Sequence, residues 1–166
     1  TRASDRFGWA LRSPAPRSMR DGPLLIGWGM ASGVWEAMQM PAGARVALSP
    51  DGVLTVSTAT SDIGTGTYTI LSQIAAEALG LPLENVVVRL GDSDLPFSAV
   101  EGGSWTAAST GTAVMSACTQ LRRKLLTLAR QQPNSPLRDL REQEVEWANG
   151  YIRAKADPSR GIALAD

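Results

Sequence analysis

Two short runs of glycine and hydroxyl residues constrain this chain more than any other feature. The first is "GTGTYT", Gly64 to Thr69, and the second is "GGSWT", Gly102 to Thr106. Each opens onto a stretch whose apolar residues recur with helical spacing, and a β-branched segment, "NVVVRL", lies between them. After the first turn, Ile70, Leu71, Ile74, Ala75, Ala78 and Leu79 make one stripe, which predicts a helix packed on one face. Gly80 suits the left-handed conformation that ends a helix, and Pro82 prevents continuation. After the second turn, Ala113, Ala117, Leu121, Leu125 and Leu128 share a face, and Arg122, Arg123, Lys124 and Arg130 suit the negative end of the helix. "NVVVRL" reads as a mostly buried strand.

The flanks supply the rest of the sheet. "ARVALSPDGVLTVSTA" is a hairpin, with Val46 and Leu48 on one face and Leu54 and Val56 on one face of the return strand. Its "SPDG" turn combines a proline that pre-sets φ with a glycine that accepts positive φ. From Leu24 to Met38, Gly27, Gly29 and Gly33 interrupt large apolar residues, as in a strand with bulges or close backbone approaches. "EVEWANGYIRA" reads as a final hairpin with an Asn-Gly turn. The predicted order is β-ββ-α-β-α-ββ, an α+β fold with a mixed or antiparallel sheet and two helices packed on it. Residues 1–23 form a polar, proline-rich lead-in in which only Phe7, Trp9 and Leu11 offer apolar anchors, and residues 24–166 form the folded domain.

Composition narrows the function. At 166 residues with 43% apolar content, the chain can bury a real core. Sixteen basic residues balance sixteen acidic ones, so no net field draws it to nucleic acid or to an anionic membrane. No apolar run is long enough to span a bilayer, and Arg2, Asp5 and Arg6 interrupt any signal-peptide pattern. There is no histidine and a single cysteine, Cys118. Cys/His zinc sites, histidine general bases and an internal disulfide are thereby excluded. The first residue is not methionine and the chain stops without a closing element, so a fragment of a longer protein is expected.

The two turns have a chemistry in common. Amides at the start of a helix lack intrahelical acceptors and carry the positive end of the dipole, and glycines let a phosphate or a polar ring approach the backbone. Thr65, Thr67 and Thr69 add hydroxyls to the first turn; Ser104, Thr106, Ser109 and Thr110 add them to the second. A plain strand-to-helix turn with a threonine cap accounts for either one alone. Two such turns opening at one sheet edge would converge on a single extended anionic ligand. A P-loop is excluded because no Gly-Lys-Ser/Thr is present. A dinucleotide fingerprint has two glycines and an acid at Asp92, but Thr69 stands where the third glycine belongs, and the entering strand lies in an antiparallel hairpin.

The order of these motifs resembles the xanthine dehydrogenase/aldehyde oxidase family, in its large, molybdenum cofactor-binding subunit. The stretch "DGVLTVSTATSDIGTGTYTILSQIAAEALGLPLENVVVRLGDSDLP", followed by "GGSWTAASTGTAV", carries the likeness. "FGW" at Phe7 to Trp9 and the glycine-bearing segment after it also fit, so the resemblance covers roughly residues 7–130. The bacterial aldehyde oxidoreductases with separate subunits are the most similar in flavour. The resemblance implies oxidation of aldehydes or N-heterocycles with water-derived oxygen. It also implies a molybdenum-molybdopterin cofactor, in the cytosine dinucleotide form. Carried over, Gly64, Thr65, Gly66 and Thr67 form one cofactor contact, and Gly102, Gly103, Ser104, Trp105 and Thr106 the other. Many members have glutamine where this chain has Thr65, whose hydroxyl reaches less far, and Trp105 is bulkier than some members carry.

The same resemblance places the catalytic glutamate in a Gly-x-Gly-Glu-type motif that this chain lacks, so the fragment alone is expected to be inactive, with no catalytic residue or metal ligand of its own. Expected partners are the remaining domains of the large subunit, iron–sulfur and FAD subunits, and a small-molecule substrate. The carboxylates present read otherwise: Asp92 and Asp94 as turn formers, Glu77 as a solvated helix residue, and Glu101 as a neighbour of the second turn. Cys118 reads as a buried inert thiol. Two other readings remain, a stand-alone nucleotide- or phosphate-binding module and an interaction domain packing on sister domains. Cut from its neighbours, the fragment is expected to self-associate.

Overall fold

A computed structural model describes residues 2–165. The chain divides into two units, Thr1–Trp35 and Glu36–Asp166. In the first, helix α1 (Arg2–Phe7) is followed by a short 3-10 turn (Trp9–Leu11) and by a two-stranded ribbon, β1 (Arg20–Asp21) and β2 (Leu24–Leu25). Phe7 packs edge-on to Trp28 at 5.0 Å, and Arg12 lies over the Trp9 ring at 4.3 Å. The strand expected from Leu24 to Met38 reduces to β2, and the residues after it are irregular. Glycines at 27, 29 and 33 break the alternation, and among the described residues no strand pairs with the segment after Leu25.

The second unit is built on the mixed sheet β3 (Arg45–Leu48), β4 (Leu54–Ser57) and β5 (Val86–Arg89), in the order β3-β4-β5. β3 and β4 pair antiparallel with Val46 opposite Val56, as the hairpin pattern predicts. β4 and β5 pair in parallel, with Val56 opposite Val88. Helix α2 (Thr67–Leu79) connects them, so β4-α2-β5 is a βαβ unit. The antiparallel hairpin therefore does not by itself argue against a dinucleotide fold; Thr69 in place of the third glycine still does. β5 is an edge strand that alternates between half-buried and exposed, with Val87 44% exposed. Its β-branched run made it look more buried than it is, because it lies at the edge of the sheet with alternate residues exposed.

Helix α3 (Thr106–Gln131) packs on α2. Leu54, Val56, Leu71, Ala75, Leu79, Val114 and Cys118 form the core between them. The α2 stripe is the expected one. That of α3 is turned by one position: Gly111, Val114, Cys118, Leu126 and Ala129 are buried, whereas Leu128 is 60% exposed. Gly111 faces α2 in this rotation, and a Cβ there would lie 3.0 Å from Ile74 Cδ1. Burial pushes the Cys118 thiol up to about 11, against the pull of Arg122. The C-terminal strands β6 (Val145–Ala148), β7 (Tyr151–Ala154) and β8 (Asp157–Ala163) form an antiparallel sheet. Asn149 (φ 51°) and Gly150 (φ 76°) make the expected two-residue turn. Leu126, Leu137, Val145 and Ile152 form a second core cluster. The α+β class holds, and β8 adds a strand to the expected hairpin.

Candidate functional site

The βαβ connection places both glycine turns at the carboxyl end of the parallel pair, the edge where open α/β sheets bind ligands. The first turn follows β4 and the second ends the loop that follows β5. They border one cleft of about 500 Å³. Thr65 and Thr67 line one wall, and Gly102, Gly103, Ser104, Trp105 and Thr106 line the other. Gly64 and Gly66 are not in the lining, and a Cβ built on either meets no atom within 4 Å. Sequence reasoning missed Ala37, Ile63, Ile70, Ala107 and Ala108, which complete the walls. Ala37 is held there because the Gln39 side chain donates to the Ala108 carbonyl (3.1 Å) and the Met40 amide donates to Ser109 Oγ (3.0 Å).

The two helix starts differ in their electrostatics. At α2, Gly66 occupies the cap position in a left-handed conformation and offers no side chain. No threonine caps the helix. Asp62 does so instead. Its Oδ1 accepts from the amides of Gly64 (2.8 Å) and Gly66 (3.3 Å), and its Oδ2 accepts from that of Tyr68 (3.4 Å). The Gly64 amide, more than any other group, holds this carboxyl below its ordinary range. The legible signal was Asp-x-Gly, the sequence of an Asx turn.

At α3, Trp105 is the cap residue and its side chain makes no capping bond. The first-turn residues Thr106, Ala107 and Ala108 face the cleft. Gly103 (φ 55°) and Ser104 (φ 64°) are both left-handed, a conformation that costs a non-glycine residue on the order of 1 kcal/mol. At Gly103 a Cβ would stand 2.6 Å from Trp105 Nε1, so any side chain there displaces the indole folded back over it. Trp105 is thus a wall of the cleft, shaped by the glycine beneath it.

Glu101 ties the two loops together. Its carboxylate accepts from the Ser61 amide at 2.7 Å across forty residues of sequence. Partial desolvation raises its pKa, but hydrogen bonds from the Ser61 amide and its own amide outweigh that and hold it low. It is a latch between the turns. Asp92 is the turn former expected, accepting from the Asp94 amide at 2.9 Å. Glu77 is exposed on α2. The Thr65 and Thr67 hydroxyls lie 3.3 Å apart, Thr67 being buried in the cleft wall.

The chain is 50% identical over 119 residues to the aldehyde oxidoreductase molybdenum-binding subunit PaoC of Escherichia coli K12, covering 72% of this chain and 16% of that subunit. It is 38% identical over 104 residues to the xanthine dehydrogenase of Emericella nidulans, covering 60% of this chain and 7% of that protein. Among solved structures, quinoline 2-oxidoreductase from Pseudomonas putida 86 superposes with a TM-score of 0.66 at 26% identity, covering 75% of this chain and 15% of that one. The chain therefore spans a small fraction of the length of each relative. A family model described as the molybdopterin cofactor-binding domain matches residues 2–166, and the chain belongs to that family.

Proposed function

We propose that this chain forms part of the cofactor cradle of a molybdenum hydroxylase large subunit. The carrying observation is the single cleft that joins Thr65 and Thr67 to Gly102–Thr106. Its donors fit a pterin bearing a phosphate: hydroxyls on both walls, and an α3 start whose cap residue, Trp105, makes no side-chain capping bond. On this reading Thr65 and Thr67 meet the polar ring, and Ser104, Thr106 and the first amides of α3 meet the phosphate. Gly64 and Gly66 act through the shape of their turn, and Trp105 closes the wall. The cofactor, when bound, supplies the redox centre; this chain's residues bind, orient and shield it. The substrate is an aldehyde or an N-heterocycle, and the cofactor is the cytosine dinucleotide form. The general base, the remaining cradle contacts and the iron–sulfur and FAD partners come from outside these residues, so the chain by itself is inactive.

The test is to fill the cleft without disturbing the core. Ala107 is exposed on the first turn of α3 and lines the cleft, so Ala107→Trp in the complete subunit blocks the site at little cost to folding. Molybdenum per polypeptide is expected to fall at least about tenfold, with an unchanged melting temperature. Full molybdenum content in the variant would remove the cradle reading.

A further inference from the structure

The loop between β5 and α3 has no helix or strand of its own, yet its last residues, Gly102 to Trp105, supply one wall of the cleft. Its earlier part is pinned. The Pro96 carbonyl accepts from the Ala59 amide at 2.8 Å and the Phe97 carbonyl from the Gly43 amide at 2.7 Å. The Ser98 hydroxyl meets that of Thr110 at 2.9 Å. Beyond Ser98, Val100 is exposed, and Gly102 and Gly103 have no side chain with which to hold on. Glu101 ties this part to the first turn, through the 2.7 Å bond from the Ser61 amide. The Thr60 hydroxyl is wholly buried and otherwise without a hydrogen-bond partner among the described residues, and it is turned to the same carboxylate. A buried hydroxyl is costly to leave unpaired, so Thr60 gives the tie a second anchor. Glu101 itself does not line the cleft; Ile63 and Thr65, just beyond Ser61, line the facing wall.

We propose that Glu101 is a positioning residue: by tying the Gly102–Trp105 wall to the Ser61 end of the first turn, it holds the two walls of the cleft at the separation in which both reach one ligand. Without the tie, Gly102 and Gly103 leave the wall free to pivot. The fraction of molecules with a closed cleft then falls, and the apparent affinity falls in proportion. The inference rests on the cradle reading for its ligand, but the tie can be measured without that ligand.

The test uses three variants of the complete subunit and two readouts, hydrogen exchange of the cofactor-free protein and molybdenum per polypeptide. Glu101→Ala removes a charge-assisted bond, so exchange at the Ser61 amide and through Ala99 to Trp105 should be about tenfold faster or more. Exchange over Val145 to Ala154 should not change, because the loosening is local. Molybdenum content should fall by about fivefold or more. Glu101→Gln keeps an acceptor oxygen at the same reach and should restore both readouts to within about twofold of the wild type. Glu101→Asp keeps the charge but is one methylene short, and should fall between the two. Unchanged exchange in Glu101→Ala would overturn the proposal. So would a higher molybdenum content in Glu101→Asp than in Glu101→Gln, since charge and not reach would then be the requirement; this order decides the matter even if Glu101→Ala does not fold. If Glu101→Ala loosens the loop and keeps its molybdenum while Ala107→Trp loses it, this inference alone has failed. If both keep it, the cradle reading has failed and the inference falls with it.

Discussion

Gly80 is where the βαβ unit meets the C-terminal sheet, and replacing it with alanine should be far more damaging than the same change at Gly66. Both glycines are left-handed, at φ 63° and 79°, so each alanine variant bears a conformational cost of about 1 kcal/mol. At Gly66 the cost ends there, because a Cβ meets nothing within 4 Å. At Gly80 a Cβ would overlap the carbonyl carbon and oxygen of Trp147. These are strand backbone atoms, which cannot rotate away as a side chain would. β6 must retreat from α2, and the Gly150 amide then loses its 2.8 Å bond to the Gly80 carbonyl. A forced backbone shift costs about 1–3 kcal/mol and the lost bond about 1 kcal/mol, giving roughly 3–5 kcal/mol in total against about 1 for Gly66→Ala. Urea unfolding of both variants beside the wild type measures the difference; at about 2–4 °C per kcal/mol, thermal melts should separate them as clearly. If the two variants lose stability within about 0.5 kcal/mol of each other, then α2 and β6 do not meet as closely as the structure has them, and the reasoning fails.

Local chemistry was legible; the consequences of neighbours were not. Gly80 and Pro82 announced the end of α2. The structure adds a Schellman arrangement there, with the Gly80 amide on the Glu77 carbonyl and the Leu81 amide on that of Ala76. Asn149-Gly150 and the "SPDG" turn were read correctly for the same reason: φ and turn chemistry are properties of a few adjacent residues. The glycine turns were found, but their electrostatics were not. A carboxylate two residues before Gly64 takes up the amides of Gly64, Gly66 and Tyr68 at that helix start. Asp62 was passed over because attention to hydroxyls suggested a threonine cap. The α3 stripe was misjudged by one position because packing against α2 selects the buried face, which periodicity within α3 alone does not report. β8 contains Pro158 and Gly161 and has no clear alternation, so its pairing with β7 had no local signature. The irregular segment after Leu25 is the converse case, where apolar composition suggested a strand but none of the described residues pairs with it.

Two further outcomes follow from exposed and ionised groups. Val34 is 97% exposed, Trp35 74% and Phe97 70%, and exposed apolar surface drives association, so light scattering should give concentration-dependent dimers or larger species; a monomer at every concentration would contradict this. Stability should also fall at both ends of the pH range, with an assignable cause at each. Glu144 is held at about 2, first by the Arg141 side chain at 2.9 and 3.1 Å and then by the Arg141 amide at 2.7 Å. Asp62, held down by the Gly64 amide, and Asp157, held down by the Ser159 hydroxyl, are also depressed. A carboxyl depressed on folding binds fewer protons in the native than in the unfolded chain. For Glu144 that contribution is complete above about pH 4.5 and disappears as pH falls toward about 2. Cys118 has the opposite sign. Its buried thiol, raised to about 11 from 9.0, contributes fully below pH 9, and that contribution is lost as the unfolded thiol ionises first on the way to 11. Urea midpoints should therefore be flat from pH 5 to 8 and decline outside that window. Glu144→Gln should flatten the acid limb and Cys118→Ala the alkaline one. Should Glu144→Gln leave the acid limb unchanged, the Arg141–Glu144 pair is not what the folded state loses in acid.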